Sequence, residues 1–175
     1  MTIPATTQGA LPMGRWHCEI AEVESRFVTG LSPLRQKIWE DWKDATKAIQ
    51  STTGEVAACW VSGSFVTDTI DPSDIDCVYL IRLDLLAVAM GDVSKAHFLD
   101  LVSRSQLKTF GIMVDSYIIP WDPHPGVSPT TQDHWNYLQR RGYWDDFWGR
   151  VKDPDPSMEI LPRRGYLEVS LDGYR

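Results

Sequence analysis

The residues of this chain best equipped for chemistry lie in one run: Gly63-Ser64, nine intervening residues, then Asp74-Ile75-Asp76, with apolar strand-like sequence on both sides. On a β-strand, residues i and i+2 project to one face, so Asp74 and Asp76 present two carboxylates side by side. Oxygen ligands of that kind suit Mg²⁺ or Mn²⁺. Gly63-Ser64 follows the apolar run Val56-Ala57-Ala58-Cys59-Trp60-Val61. A pair that small lets backbone amides approach phosphate oxygens, and Ser64 adds a hydroxyl. Together the two motifs suit metal-dependent nucleotidyl transfer, which requires a triphosphate to be held, its charge neutralised, and a hydroxyl aligned with the α-phosphorus. Either motif alone is an ordinary solvated turn; it is their order between strands that carries the reading.

Gly63-Ser64 with Ser73-Asp74-Ile75-Asp76 resembles the signature of the DNA polymerase beta nucleotidyltransferase superfamily. The resemblance implies that Gly63, Ser64 and Ser73 belong to the nucleotide site and that Asp74 and Asp76 bind two divalent ions, Mg²⁺ or Mn²⁺. It also implies a third carboxylate on a following strand. Asp115 supplies one, as the sole charge in the strand-forming run Gly111-Ile112-Met113-Val114-Asp115-Ser116-Tyr117-Ile118-Ile119. More narrowly, Gly63-Ser64-Phe65-Val66-Thr67 and Pro72-Ser73-Asp74-Ile75-Asp76 resemble a small prokaryotic and prophage-borne group of nucleotidyltransferase-like proteins. Leu11-Pro12-Met13-Gly14 and Arg163-Arg164-Gly165-Tyr166-Leu167-Glu168-Val169 are also similar to that group. The motif core covers roughly residues 56 to 119. The three carboxylates are expected to meet in one cavity without a lysine ammonium to neutralise them, which raises carboxylate pKa values until metal binds.

At 175 residues and 43% hydrophobic content the chain can bury a substantial core, and one nucleotidyltransferase-like domain over 1–175 is expected. Cys18, Cys59 and Cys77 are odd in number and lack CxxC spacing, so they read as reduced core residues. The opening residues show no charged leader followed by an apolar stretch, and no window approaches a membrane span, so a cytoplasmic protein is expected. A net charge of −7, from 24 acidic and 17 basic residues, argues against broad adhesion to nucleic acid. It leaves room for a local basic site, because Arg140, Arg141, Arg150, Lys152, Arg163 and Arg164 concentrate in the last third. They either meet a triphosphate or an RNA end, or line a solvated helix face. Arg163 and Arg164 precede a strand-like segment whose alternation lets only one of them face the cavity. Trp135, Trp144 and Trp148 lie near that basic region, as core, as a base-stacking surface or as a contact for a protein partner. Of the four histidines, His17, His97, His124 and His134, none has paired ligand spacing. His97 and His134 read as surface residues of helices, and only His124, in a proline-rich loop, merits a test.

The elements that must position these groups form an α/β (α+β) palm: a small mixed sheet flanked by helices. Residues 1–18 read as an irregular arm and Glu19–Phe27 as a short helix. Ser32 as N-cap and Pro33 at the first turn open the clearest helix, which Gly54 closes. Strands follow at 56–61 and 75–82. A helix from about Lys95 to Gln106 with Ser94 as cap leads to the Asp115 strand, and 120–127 reads as a loop. Ser128-Pro129 signals a helix to about Arg141 with a further turn through Trp148, and 166–171 alternates as a final strand.

The reaction that the resemblance implies is transfer of a nucleoside monophosphate from an NTP to a hydroxyl acceptor, with release of pyrophosphate. The resemblance, which extends to prophage and toxin–antitoxin systems, makes an RNA end or a protein side chain worth testing as acceptor, with a small molecule as the third choice. The alternative is a catalytically inactive nucleotide-binding or antitoxin-like interaction module on the same fold.

Overall fold

The computed structural model describes residues 3–123 and 128–174; His124 lies outside them. Its centre is a five-stranded mixed sheet in the order β1-β5-β2-β3-β4, built from β1 (Gly14–Cys18), β2 (Ala58–Ser62), β3 (Ile75–Arg82), β4 (Val114–Trp121) and β5 (Gly165–Ser170). β2 runs antiparallel to β3 and β5, whereas β1–β5 and β3–β4 are parallel pairs. β2 and β3 are interior and sandwiched on both faces, which explains their nearly continuous apolar sequence.

Strand alternation divides the core in two. Cys59, Val61, Cys77, Tyr79, Ile81, Leu167 and Val169 face one side, where they meet α1 (Ile20–Phe27) and α2 (Pro33–Thr53). Trp60, Val78, Leu80, Ile119 and Tyr166 face the other, beneath Tyr137 and Trp148 of α5 (Gln132–Gly149). α3 (Leu83–Met90) and α4 (Val93–Ser103) connect β3 to β4, and α6 (Pro156–Glu159) is one turn before β5. The three cysteines are buried and unbridged. No helix among the described residues is long and apolar enough to cross a membrane.

Helix α2 runs as its sequence signals direct, from a Ser32 side chain accepting the Arg35 amide to Gly54 at φ 94°. Other expectations need correcting. The N-terminal arm is not irregular throughout: Gly14–Cys18 forms edge strand β1, in register with β5 from the far end of the chain. Gly165 permits that approach, since a Cβ there would lie 2.1 Å from the Pro12 carbonyl oxygen. Asp92, not Ser94, caps α4, because its carboxylate accepts from both Ser94 N and Lys95 N. Pro120 and Trp121 extend β4 rather than opening a loop; β4 is an edge strand, where a missing proline N–H is tolerated. Thr131, not Ser128, caps α5, which continues unbroken to Gly149. The apolar run Leu83–Met90 has little periodicity to read, yet it forms α3.

Candidate active site

At the end of β2 the chain turns through Gly63, whose φ of 75° favours glycine, into a single 3₁₀ turn over Ser64–Val66. Arg35 of α2 fixes this loop from beneath. It is only 2% exposed and donates to the carbonyls of Phe27 (3.0 Å), Phe65 (2.8 Å), Thr67 (2.9 Å) and Thr69 (3.2 Å). A buried guanidinium in no salt bridge among the described residues is costly unless its donors are satisfied, and here the loop carbonyls satisfy them. The sequence pattern gives no hint of this role, because Arg35 looks like any polar residue of a helix first turn.

The carboxylates are set by strand register. Asp76 of β3 stands directly opposite Asp115 of β4 and opposite Ser62 of β2, on the same face as Trp60, Val78 and Leu80. Asp74, two residues earlier, lies just before β3 and accepts from the Ser73 hydroxyl at 3.2 Å. Asp76 is pressed onto the glycine: a Cβ on Gly63 would fall 1.7 Å from its Oδ2. Burial, then the charges of Asp74 and Asp115, push the Asp76 carboxyl up to about 6; Lys108 and Arg164 oppose the shift.

Lys108 corrects the expectation of three carboxylates without a lysine. Its ammonium forms ion pairs with Asp74 and, at 3.1 Å, with Asp115 Oδ2. Burial works to lower the Lys108 pKa, but the two carboxylates outweigh it and the net shift is upward. Ser105, at φ 57°, also donates its hydroxyl to Asp115 Oδ1. No three His, Cys, Asp or Glu side chains among the described residues are gathered as a ready-made metal cage. The donor set nevertheless suits a hard divalent ion: it is all oxygen, and the ammonium held between Asp74 and Asp115 stands where a cation is electrostatically favoured. The Lys108 side chain is 39% exposed, on a flexible four-carbon stem.

The structure separates the two adjacent arginines. Arg163 points away to Asp153 at 2.9 Å. Arg164 turns inward, donates Nε to the Trp148 carbonyl at 3.2 Å, and feels Asp76 as its opposing charge. Burial lowers its pKa, and Asp76 partly restores it. Backbone amides of both residues bond the Gly149 carbonyl at the end of α5, which fixes where Arg164 enters. Arg150 pairs with Asp146 and Arg141 with the Tyr137 hydroxyl, so neither of these two is paired with the carboxylates of the site.

On the Asp115 side lies an aromatic wall. Tyr117, whose pKa is raised by burial and then by Asp115, packs on Trp144 at 4.6 Å. Tyr143 and Phe147, stacked at 5.7 Å, stay 59% and 43% exposed. Trp148 is core. His17 and His97 are exposed, but His134 is buried, its Nδ1 accepting from Thr130 N and its Nε2 3.4 Å from Asp122, so it anchors the start of α5 rather than facing solvent.

No curated protein and no solved structure matches the chain. A family model does, over residues 3–170, spanning every strand and helix described above. The protein belongs to the family described as "Family of unknown function (DUF6932)".

Proposed function

We propose that this protein is a metal-dependent nucleotidyltransferase with a palm-like sheet of the DNA polymerase beta type, moving a nucleoside monophosphate from an NTP to a hydroxyl acceptor. The observation that carries the proposal is the pairing of Asp76 with Asp115 across β3 and β4, beside Asp74 and against Gly63, with Arg164 turned inward just before β5. A divalent ion, Mg²⁺ or Mn²⁺ in a two-ion set, would supply charge neutralisation and Lewis-acid polarisation at the phosphates.

The chain's own residues do the rest. Asp74, Asp76 and Asp115 would hold the ions, which would take the place of the Lys108 ammonium. The Gly63-Ser64 turn, braced by Arg35, receives the triphosphate on backbone amides and a hydroxyl. The acceptor oxygen forms a bond to the α-phosphorus as the bond to pyrophosphate breaks, and Asp115 takes the hydroxyl proton. Arg164 neutralises charge on the departing pyrophosphate. The acceptor is an RNA end, a protein side chain or a small molecule. Incubation with each labelled NTP, Mg²⁺ or Mn²⁺, and total RNA and protein tests the reading. Label transfer that Asp76→Asn abolishes supports it, and no transfer or pyrophosphate release under any condition refutes it.

One observation favours a second reading. The Lys108 ammonium already satisfies two of the carboxylates, as expected of a catalytically inactive nucleotide-binding or antitoxin-like module. That module would bind NTP in EDTA as tightly as in Mg²⁺ and transfer nothing.

A further inference from the structure

A cavity of about 710 Å³ opens between α5 and the β1–β5 edge, next to the carboxylates but not formed by them. Three guanidiniums line it: Arg15 from β1, Arg141 from α5 and Arg164 from the residue just before β5. Their charge is unevenly compensated. Arg15 is paired with Glu168 at 2.7 Å. Of the cavity's two carboxylates, Asp145 lies 4.0 Å from Arg15 and accepts from the Tyr166 hydroxyl, and Asp146 pairs with Arg150. Among the described residues neither Arg141 nor Arg164 is in a salt bridge; each makes one neutral hydrogen bond, to the Tyr137 hydroxyl and the Trp148 carbonyl. In a chain with 24 acidic residues and a net charge of −7, Arg141, in no salt bridge among the described residues, and Arg164, opposed at longer range by Asp76, mark a place that an external anion completes.

The cavity is also kept open. Gly142 lies in the middle of α5, where glycine is the poorest helix former after proline. Nothing stands within 4 Å of where its Cβ would be, so packing does not require the glycine. Its effect is to leave the cavity wall bare. Arg141 is stiffened between the rings of Trp60 and Tyr137, at 5.9 and 5.8 Å, which lowers the entropy cost of fixing an anion. The volume lies in the range of sites for whole small molecules and far exceeds what one phosphate fills, and Leu138 and Met13 add apolar wall.

We propose that this cavity is a second nucleotide subsite, separate from the Gly63-Ser64 cradle, in which Arg141 and Arg164 hold the phosphate of a nucleotide. Its occupant is a free mononucleotide or the terminal nucleotide of an RNA strand. Its role as the acceptor site rests on the nucleotidyl-transfer reading, because Arg164 is the residue the cavity shares with the carboxylate cluster; binding itself does not.

The test is isothermal titration of the full-length chain in EDTA with each nucleoside 5′-monophosphate and with a short oligoribonucleotide. Wild type is expected to bind at least one of these probes. Arg141→Ala and Gly142→Leu should each weaken binding at least about tenfold. Gly142→Leu improves helix propensity, so lost binding there cannot be ascribed to misfolding, and Gly142→Ala controls for the backbone. Stronger binding by the oligoribonucleotide identifies an RNA end, and equal or stronger binding by the monophosphate a free nucleotide. Failure of every probe to bind wild type, or unchanged binding in both cavity variants, overturns the proposal. Label transfer lost in Asp76→Asn but normal in Arg141→Ala and Gly142→Leu would leave the catalytic reading standing and overturn the cavity's role as the acceptor site. Probe binding that both cavity variants lose, without transfer by wild type, would do the reverse.

Discussion

Replacing Asp76 with asparagine should stabilise the metal-free protein at neutral pH, because the native carboxylate is held where it is hard to ionise. Asparagine keeps the shape that lies on Gly63 and removes the charge that Asp74 and Asp115 repel. The folded-state pKa of about 6 exceeds the 3.8 of an unhindered aspartate, so the folded state binds the proton more tightly than the unfolded state. Stability from this group is therefore fully present below about pH 4 and is lost as pH rises through about 6. The shift corresponds to at most about 3 kcal/mol, which for a chain of this size is about 6–12 °C in melting temperature. Paired thermal melts of wild type and Asp76→Asn from pH 4 to 8 in EDTA are the assay. The curves should coincide at pH 4 and separate with increasing pH, the variant melting higher. Adding Mg²⁺ or Mn²⁺ at pH 7.5 should then raise the wild-type melting point much more than that of the variant. Equal melting at pH 8 in EDTA would show that Asp76 is not a destabilising charge, and equal metal-induced shifts would remove it from the metal site.

Lys108→Met removes the ammonium between Asp74 and Asp115 and should tighten Mn²⁺ binding at least about fivefold, roughly 1 kcal/mol for a half-exposed ion pair; weaker binding by calorimetry would make Lys108 a helper rather than a competitor. Gly63→Ala forces a Cβ into a positive-φ position and against the Asp76 carboxylate, so it should cost about 1–2 kcal/mol in urea denaturation from the backbone alone. It should also abolish NTP binding, and an unchanged midpoint would contradict the contact. Arg164→Ala should slow label transfer at least about tenfold, about 1.4 kcal/mol in the barrier, while Arg163→Ala leaves the rate intact; the reverse pattern would overturn the assignment of the clamp to Arg164.

The sequence by itself determined the local parts of this protein. α2 is bracketed by Ser32-Pro33 and Gly54, signals that act through bonds one turn away, and β3 follows from an apolar stretch long enough to be a buried strand. Asp115 is legible as the sole charge in a strand-forming run, but that a third carboxylate is needed there is what the family resemblance implies. What the tertiary structure decided is everything that depends on pairing at a distance. Register across β3–β4 places Asp115 opposite Asp76, and no local pattern encodes that offset. The parallel β1–β5 pair joins residues about 150 positions apart, so the N-terminal arm looks irregular until its partner is known. Lys108 sits in a short 3₁₀ turn with no periodicity, and only the fold brings its ammonium between two carboxylates. Arg163 and Arg164 are indistinguishable in sequence; the Gly149 carbonyl at the end of α5 and the first step of β5 turn one toward Asp153 and the other toward Asp76. Side-chain chemistry is written residue by residue, but the field each charge feels is summed over neighbours that the chain delivers from far away.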